Sequence, residues 1–528
     1  MRNTLSNAAL IVLVCCGPAA RAMPPTTGMP GSLPPSPSDS APERKQGPQR
    51  IAGERPDPNA PELERELTRF LNVFKVADEQ AADGVDPSQS IYGGAIPGML
   101  RVLDPHSVFF DKDQFEQVQE MQRSVSKGFG SVVSIVPGRV IILQTQPGSP
   151  SQRAGLAPGD EILGVNNIPL ASLDTEQLIQ LLGSARQRTA HLYVRRQGTA
   201  GILTFTMTPA EMQAASVDRI FQLDDHTGYV RVSSFEPKTG YQLRQAIEKL
   251  GGTKLQALVI DLRDNPGGVV EAGLEAAALF LKPGAKLLSA RGRSMAEDGA
   301  AVPDDAQPYT CKLAVLVNRR TASAAEIAAG ALQDNDRATI LGEQTYGKGL
   351  VQRVYTLSDQ TGLALTTAYY YTPSGRSVQK PLHGNELEAA TRVQVRPEYK
   401  TVAGRTVRGG GGIEPDIAAA PELPSVFGVF LENSGLYMAF ATDWLSLHRT
   451  EASREMEIAP ALLDEFRTFL TERRIQPSIS EWTGELTRMR PRLKQEILNQ
   501  SIGIEAGDEI EIHRDAVVRR ALEKLATP

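Results

Sequence analysis

From Glu62 to Arg123 apolar residues recur at three- and four-residue spacing, as in Leu63, Leu67, Phe70 and Phe74 and again in Ile96, Met99, Leu100 and Leu103. That rhythm predicts a helical N-terminal section. Between Lys127 and Pro209 it gives way to short β-rich runs, Val132 to Ile135 and Arg139 to Leu143, divided by Pro/Gly turns, with one amphipathic helix from Leu173 to Leu182. A small β-rich domain is expected there. Beyond it, strands at Tyr229 to Val232, Ala257 to Ile260 and Leu313 to Val317 alternate with helical stretches Gln242 to Leu250, Ala272 to Leu281 and Ala324 to Leu332. This alternation predicts an α/β core, and unbroken apolar strands such as Leu258-Val259-Ile260 predict a sheet covered on both faces. Residues Pro381 to Gly412 are polar and Gly-rich, as in an insertion or flap. From Phe427 to Pro528 the pattern is helical again, with Trp444, Leu462, Leu463, Phe466 and Phe469 on its apolar face, and no internal repeat is found.

Length changes the picture from one core to several: 528 residues correspond to roughly three folded units. The expected divisions are 1–22, a leader; 23–60, a linker; 61–123, the N-terminal helices; 124–210, the β-rich domain; 211–424, the α/β core; and 425–528, the C-terminal helices. The leader has Arg2, an apolar run from Ala8 to Cys16 and the small-x-small site Ala20-Arg21-Ala22, which predicts export to the periplasm or cell envelope. Cys15 or Cys16 offers an alternative, a lipid anchor, although neither follows a glycine or alanine. No later run approaches the ~20 apolar residues of a membrane helix, so none is expected in the mature chain. Cleavage after Ala22 leaves Cys311 as the single cysteine, with no internal disulfide to form. The linker is rich in Pro, Ser, Gly and charge and has too few large apolar residues to bury a core. A net charge of −6 gives no broad basic surface, which argues against nucleic acid as a partner.

Familiar hydrolase signatures are missing. There is no His-Glu-x-x-His and no Gly-x-Ser-x-Gly, and the six histidines are scattered without ligand spacing, so neither a metal site nor a Ser/His pair is supported. The segment Leu313 to Gly330 instead reads as a buried strand, a tight turn and an Ala-rich helix with Ser323 at its N-terminus. A hydroxyl there either caps the helix or lies beside free N–H groups able to stabilise developing negative charge. Downstream, Lys348 stands between Gly347 and Gly349. It is either a solvated loop lysine or a base, and a base only if burial removes its charge, since an ordinary lysine titrates near 10.4.

The run Thr321-Ala-Ser323-Ala-Ala-Glu-Ile followed by Gly347-Lys348-Gly349-Leu-Val-Gln352 resembles the active-site signature of the carboxyl-terminal processing proteases, PDZ-containing Ser/Lys serine peptidases. Further matches follow the family order: Gly94-Ala-Ile-Pro-Gly-Met-Leu, Leu103-Asp-Pro-His-Ser107, Asp261-Leu-Arg-Asp-Asn-Pro-Gly267-Gly268, Tyr371-Thr-Pro-Ser-Gly-Arg-Ser and Gly412-Ile-Glu-Pro-Asp416. The resemblance covers roughly Pro61 to Ile417. It implies a multidomain α/β fold: a ClpP/crotonase-like catalytic core with an inserted PDZ domain, an N-terminal helical section and a C-terminal helical extension. It makes Ser323 the nucleophile, Lys348 the general base and Gln352 the group that orients the lysine amine. Oxyanion donors would be Gly268, with Gly267 close behind, and Ala324. No cofactor is implied. Arg319-Arg320-Thr321 stands where the family more often has glycine and serine, which bears on the substrate entrance.

In the β-rich domain, Ser149-Pro-Ser-Gln-Arg-Ala154-Gly155-Leu156 and Pro158-Gly-Asp160-Glu-Ile-Leu resemble the middle of a PDZ domain. The implied carboxylate loop is Phe129-Gly130-Ser131-Val132, where the family has more glycine. PDZ grooves take an extended peptide as an added strand and hold its terminal carboxylate on backbone amides. The partners implied are protein substrates with exposed C-termini; a lid that does not grip carboxylates is the alternative. For the whole chain two readings stand: an endopeptidase acting on exported proteins, or a silent or partner-gated scaffold that binds C-termini. For the helices from Phe427 onward two readings also stand: a module for self-association or an adaptor, or packing onto the core.

Overall fold

The computed structural model describes residues 60–527 apart from 123–124, 137, 147, 197–198, 214–215, 294 and 382–395. The leader and the linker up to residue 59 lie outside the described residues, as do residues 382–395 in the first half of the expected flap. Contacts divide the described residues into two units, a smaller one of residues 60–115 and 352–366 and a larger one of residues 116–351 and 367–527.

In the smaller unit, Ala60, expected to end the linker, instead opens helix α1 (Ala60–Gln80). A π-helical turn over Gln89–Ala95 runs directly into α2 (Ile96–Leu103). Asp104 then stops the helix: its Oδ1 accepts the amides of His106 and Ser107, and its Oδ2 the Ser107 hydroxyl. Strand β1 (Val108–Phe110) pairs antiparallel with Gly362 to Ala364, and α3 (Lys112–Gln122) begins here.

The larger unit opens with β2 (Val125–Gly128), β3 (Ser131–Val136), β4 (Arg139–Thr145), α4 (Pro150–Ala154), β5 (Glu161–Val165), β6 (Ile168–Pro169), α5 (Thr175–Ala185), β7 (Ala190–Arg195), β8 (Leu203–Met207) and β9 (Ala210–Gln213). β2 pairs with β9, so this domain enters and leaves on one ribbon. Its main sheet runs β3-β4-β5-β7-β8, with β6 on β5. α5 starts at Asp174 in a capping box with Gln177 and packs alongside β3. Val133, Ile135, Leu178, Leu192 and Val194 are among the side chains enclosed between them.

There follow β10 (Val217–Gln222), β11 (Thr227–Val232), α6 (Thr239–Lys249), β12 (Ala257–Asp261), α7 (Val270–Ala278), β13 (Lys286–Gly292), β14 (Met295–Ala301), β15 (Lys312–Val317), α8 (Ala324–Asp334), β16 (Thr339–Gly342), β17 (Leu350–Thr356), β18 (Gly362–Tyr371), β19 (Glu398–Lys400), β20 (Thr406–Arg408) and β21 (Ile417–Ala418). The central sheet has the order β10-β11-β12-β15-β16-β21, parallel from β11 onward with β10 antiparallel at its edge. Every residue of β12 is buried, as the sequence predicts for a sheet covered twice. α6, α7 and α8 bury one face over Leu258, Ile260 and Val315.

The second face is covered from the far end of the chain. The C-terminal helices are α9 (Val426–Asn433), α10 (Leu436–His448), α11 (Pro460–Glu472), α12 (Ile479–Ser501), α13 (Ile504–Arg514) and α14 (Ala516–Ala526). α9 to α12 enclose their own cluster around Phe466 and Leu470. In α14, Val517, Val518, Ala521 and Leu525 lie on Tyr229, Val259, Ala314, Leu316 and Leu341 of the central sheet. The last helix is thus a layer of the core, whichever reading holds for α9 to α12. Met438 of α10 and Ile504 of α13 bury Val132, Ile141 and Leu143 on the outer face of β3 and β4. Among the described residues no helix is long and apolar enough to cross a membrane.

Candidate active site

Two turns meet in the larger unit. The first leaves β12: Asp261-Leu-Arg-Asp-Asn-Pro-Gly267-Gly268. Asn265 is fully buried and organises it, its Nδ2 donating to the Val232 carbonyl and its Oδ1 accepting the Gly267 amide at 2.8 Å. Gly267 and Gly268 have φ of 97° and 137°, a region that favours glycine. A Cβ on Gly268 would overlap the Phe235 carbonyl, and one on Gly267 would stand 2.7 Å from Ser323 Cβ and 2.9 Å from Ala324 N. Only glycine permits this approach.

The second turn joins β15 to α8. Thr321, fully buried, hydrogen-bonds the Leu262 carbonyl at 2.8 Å, and the Ala322 amide donates to the Asn265 carbonyl, so the two turns are stitched together. Ser323 follows at φ 53°, ψ −120°, a strained geometry for a residue with a side chain, at the start of a helix whose Ala325 and Glu326 amides turn back onto the Ala322 and Ser323 carbonyls. The Gly267 N–H is engaged by Asn265; among the described residues the N–H groups of Gly268 and Ala324 have no protein acceptor. Arg320 is held by Asp264 and Arg319 by Glu343, both guanidinium groups remaining exposed beside the serine turn.

Lys348 is buried between its glycines. Burial drives its ammonium down to about 8, opposed by the nearby Glu326 carboxylate. Glu326 is fully buried on the first turn of α8: one oxygen accepts the amides of Ser323 (3.0 Å) and Lys348 (2.8 Å), the other the Gly347 amide (2.7 Å) and the Thr345 hydroxyl (2.5 Å). Burial pushes its own carboxyl up, and these four donors pull it back. Sequence reasoning gave Glu326 no role. Its signal was present, a Ser-x-x-Glu spacing in which the third residue reaches back to the amide before the helix. Thr345 Oγ1 also accepts the Ile413 amide, which brings Gly412-Ile-Glu-Pro-Asp416 onto the same carboxylate. The Tyr371 to Ser377 motif serves the other end of α8, where fully buried Arg376 pairs with Asp334 at 2.8 Å.

Ser323, Lys348, Gly267, Gly268 and Ala324 therefore belong to the larger unit. Gln352, on β17, falls in the smaller one, where its Nε2 donates to the His106 carbonyl at 2.7 Å. The Ser107 hydroxyl of the same turn accepts the Thr366 amide.

In the β-rich domain the Phe129 carbonyl accepts from Ser151, the Gly130 carbonyl from Gln146, and the Ser131 and Ser151 hydroxyls meet at 2.5 Å. Gly130 has φ 75°. Val132 turns its side chain onto Met438 and Ile504, so only its backbone is left for a groove. β3 pairs with β4 along one edge and, among the described residues, with no strand along the other.

Residues 226–387 match the family model of peptidase family S41, and residues 141–196 that of a PDZ domain. Carboxyl-terminal-processing peptidase 2, chloroplastic, of Arabidopsis thaliana is 33% identical over 302 residues, 54% of this chain and 58% of that protein. The carboxyl-terminal-processing protease of Synechocystis is 33% identical over 294 residues, 54% of this chain and 68% of that protein. Among solved structures, the photosystem II D1 C-terminal processing protease covers 69% of this chain and 96% of its own, with a TM-score of 0.38 and 26% identity.

Proposed function

The chain belongs to the carboxyl-terminal-processing proteases of peptidase family S41, and from that premise we propose that it is a serine endopeptidase working through Ser323 and Lys348. The observation that carries the proposal is the pair of uncommitted N–H groups, Gly268 and Ala324, on two turns packed against each other at Ser323. Neutral Lys348 takes the Ser323 hydroxyl proton as Oγ attacks a peptide carbonyl. The resulting oxyanion is held by the two amides; one such donor is worth roughly 2.7 to 4 kcal/mol of barrier. The lysine then returns the proton to the departing amine, and water repeats the sequence on the acyl-enzyme. The Phe129 to Val132 loop with the edge of β3 that is unpaired among the described residues receives substrate C-termini as an added strand. Its substrates are exported proteins, in keeping with the leader pattern in residues 1–22.

The test incubates the chain from Met23 onward with an unfolded protein ending in an apolar C-terminus, beside Ser323→Ala and Lys348→Ala, with products read by mass spectrometry. Cleavage by the parent alone is expected. Cleavage by Ser323→Ala at the parent rate would overturn the mechanism.

A further inference from the structure

Arg263 opens the Gly267-Gly268 turn, and its guanidinium is largely buried. Nε and Nη2 grip Asp261 at 3.0 and 2.6 Å, and Asp261 also accepts the Tyr229 hydroxyl at 2.7 Å. Nη1 donates to Asp515 Oδ2 at 2.7 Å. Asp515 lies 252 residues further along the chain, outside the segment matched to the peptidase family. Its other oxygen accepts the Val517 and Val518 amides and so starts α14. The far end of α14 is held independently: Lys312 Nζ donates to the carbonyls of Leu525 and Thr527.

We propose that Asp515 is a positioning residue for the reaction: through Arg263 it fixes the entrance of the turn that presents the Gly268 N–H, and so makes the C-terminal helix part of the catalytic framework. An arginine has five donors, and one left partly buried with Asp261 as its only carboxylate is free to draw that residue, and the turn leaving it, out of register. A shift of a fraction of an ångström in an oxyanion donor is felt in the transition state more than in substrate binding.

The inference rests on the serine peptidase reading for its kinetic consequence but not for its structural one, so both are measured. In Asp515→Asn the asparagine still caps α14, and only the carboxylate facing Arg263 is lost. Hydrogen exchange on the intact chain is expected to quicken about tenfold over residues 262–268 while α14 stays protected. Turnover should fall roughly three- to tenfold in kcat with KM within twofold. Lys312→Met, which frees the other end of the helix, should leave the turn unchanged. Unchanged exchange over 262–268 in Asp515→Asn, or equal loosening of that turn in Lys312→Met, would overturn the proposal. A parent without Ser323-dependent cleavage would instead count against the peptidase reading, and the exchange result would still decide the role of Asp515.

Discussion

The backbone amides of Ser323 and Lys348, 25 residues apart in sequence, donate to the same oxygen of the buried Glu326 carboxylate, at 3.0 and 2.8 Å. One side chain thereby sets the spacing of the two residues to which the proposed mechanism gives the proton transfer. Glu326→Gln replaces one acceptor oxygen with an NH2 that faces donors. Loss of a buried acceptor costs about 1–3 kcal/mol, and kcat should fall on the order of a hundredfold. Urea unfolding together with steady-state kinetics checks both; a fully active variant of parental stability would remove Glu326 from the framework.

Lys348 gives the pH dependence its sign. Its ammonium, held down to about 8, must be deprotonated to act, so kcat/KM should rise through about pH 8 and level off above it. Because Glu326 opposes the shift, the residual activity of Glu326→Gln should rise at lower pH than the parent's. For stability, the unfolded chain binds this proton more tightly than the folded one between about 8 and 10.4, so the native state gains with rising pH across that window. The gain is on the order of 3 kcal/mol. Lys348→Met should lose activity and flatten that part of the stability profile, as denaturant melts at pH 7.5 and 10 would read.

Gly267 tests the close approach of the two turns. With φ 97° and a would-be Cβ at 2.7 Å from Ser323 Cβ, Gly267→Ala must push the turns apart. Turnover should drop at least a hundredfold through misplacement of the Gly268 donor, with KM changed far less. Near-parental activity in a folded Gly267→Ala would mean that the turn has another role.

What the sequence made legible was local. The strand, turn and Ala-rich helix around Ser323 could be read because each obeys its own spacing, and β12 could be read as doubly covered because Leu258-Val259-Ile260 is an unbroken apolar run. The resemblance ranked Gly268 ahead of Gly267, but why Gly268 keeps its amide free could not be read, because it depends on Asn265 folding its side chain back onto Gly267. The Arg263 to Asp515 pair bridges 252 positions and leaves no periodicity behind. The amphipathic pattern of the last helix shows that it has an apolar face but not that the central sheet is what the face covers.

That coverage is itself testable. Ala521 is fully buried in α14 against the sheet. Ala521→Asp places a carboxylate in an apolar interface and should destabilise the larger unit by more than about 3 kcal/mol. A substitution at exposed Arg520 should be silent within about 0.5 kcal/mol. Thermal melts of the two variants separate the readings: an unaffected Ala521→Asp would show α14 to be dispensable for the core.

The edge of β3 that no strand among the described residues pairs with is the surface to which the proposed substrate recognition is assigned. An open edge offers alternate backbone donors and acceptors to any extended peptide, so strand addition alone gives binding without preference for a terminus. In the proposed recognition, preference must come from the turn before β3, where Gly130 stands at φ 75° and backbone amides are the groups available to a carboxylate. A peptide with a free apolar C-terminus should therefore bind at least tenfold more tightly than its C-terminal amide, and Gly130→Val, which strains the turn, should narrow that ratio. Isothermal titration with the two peptides reads it directly. Equal affinities would leave β3 as an edge that captures unfolded chain anywhere along its length, and substrate choice would then have to be set at the serine turn, where exposed Arg319 and Arg320 stand.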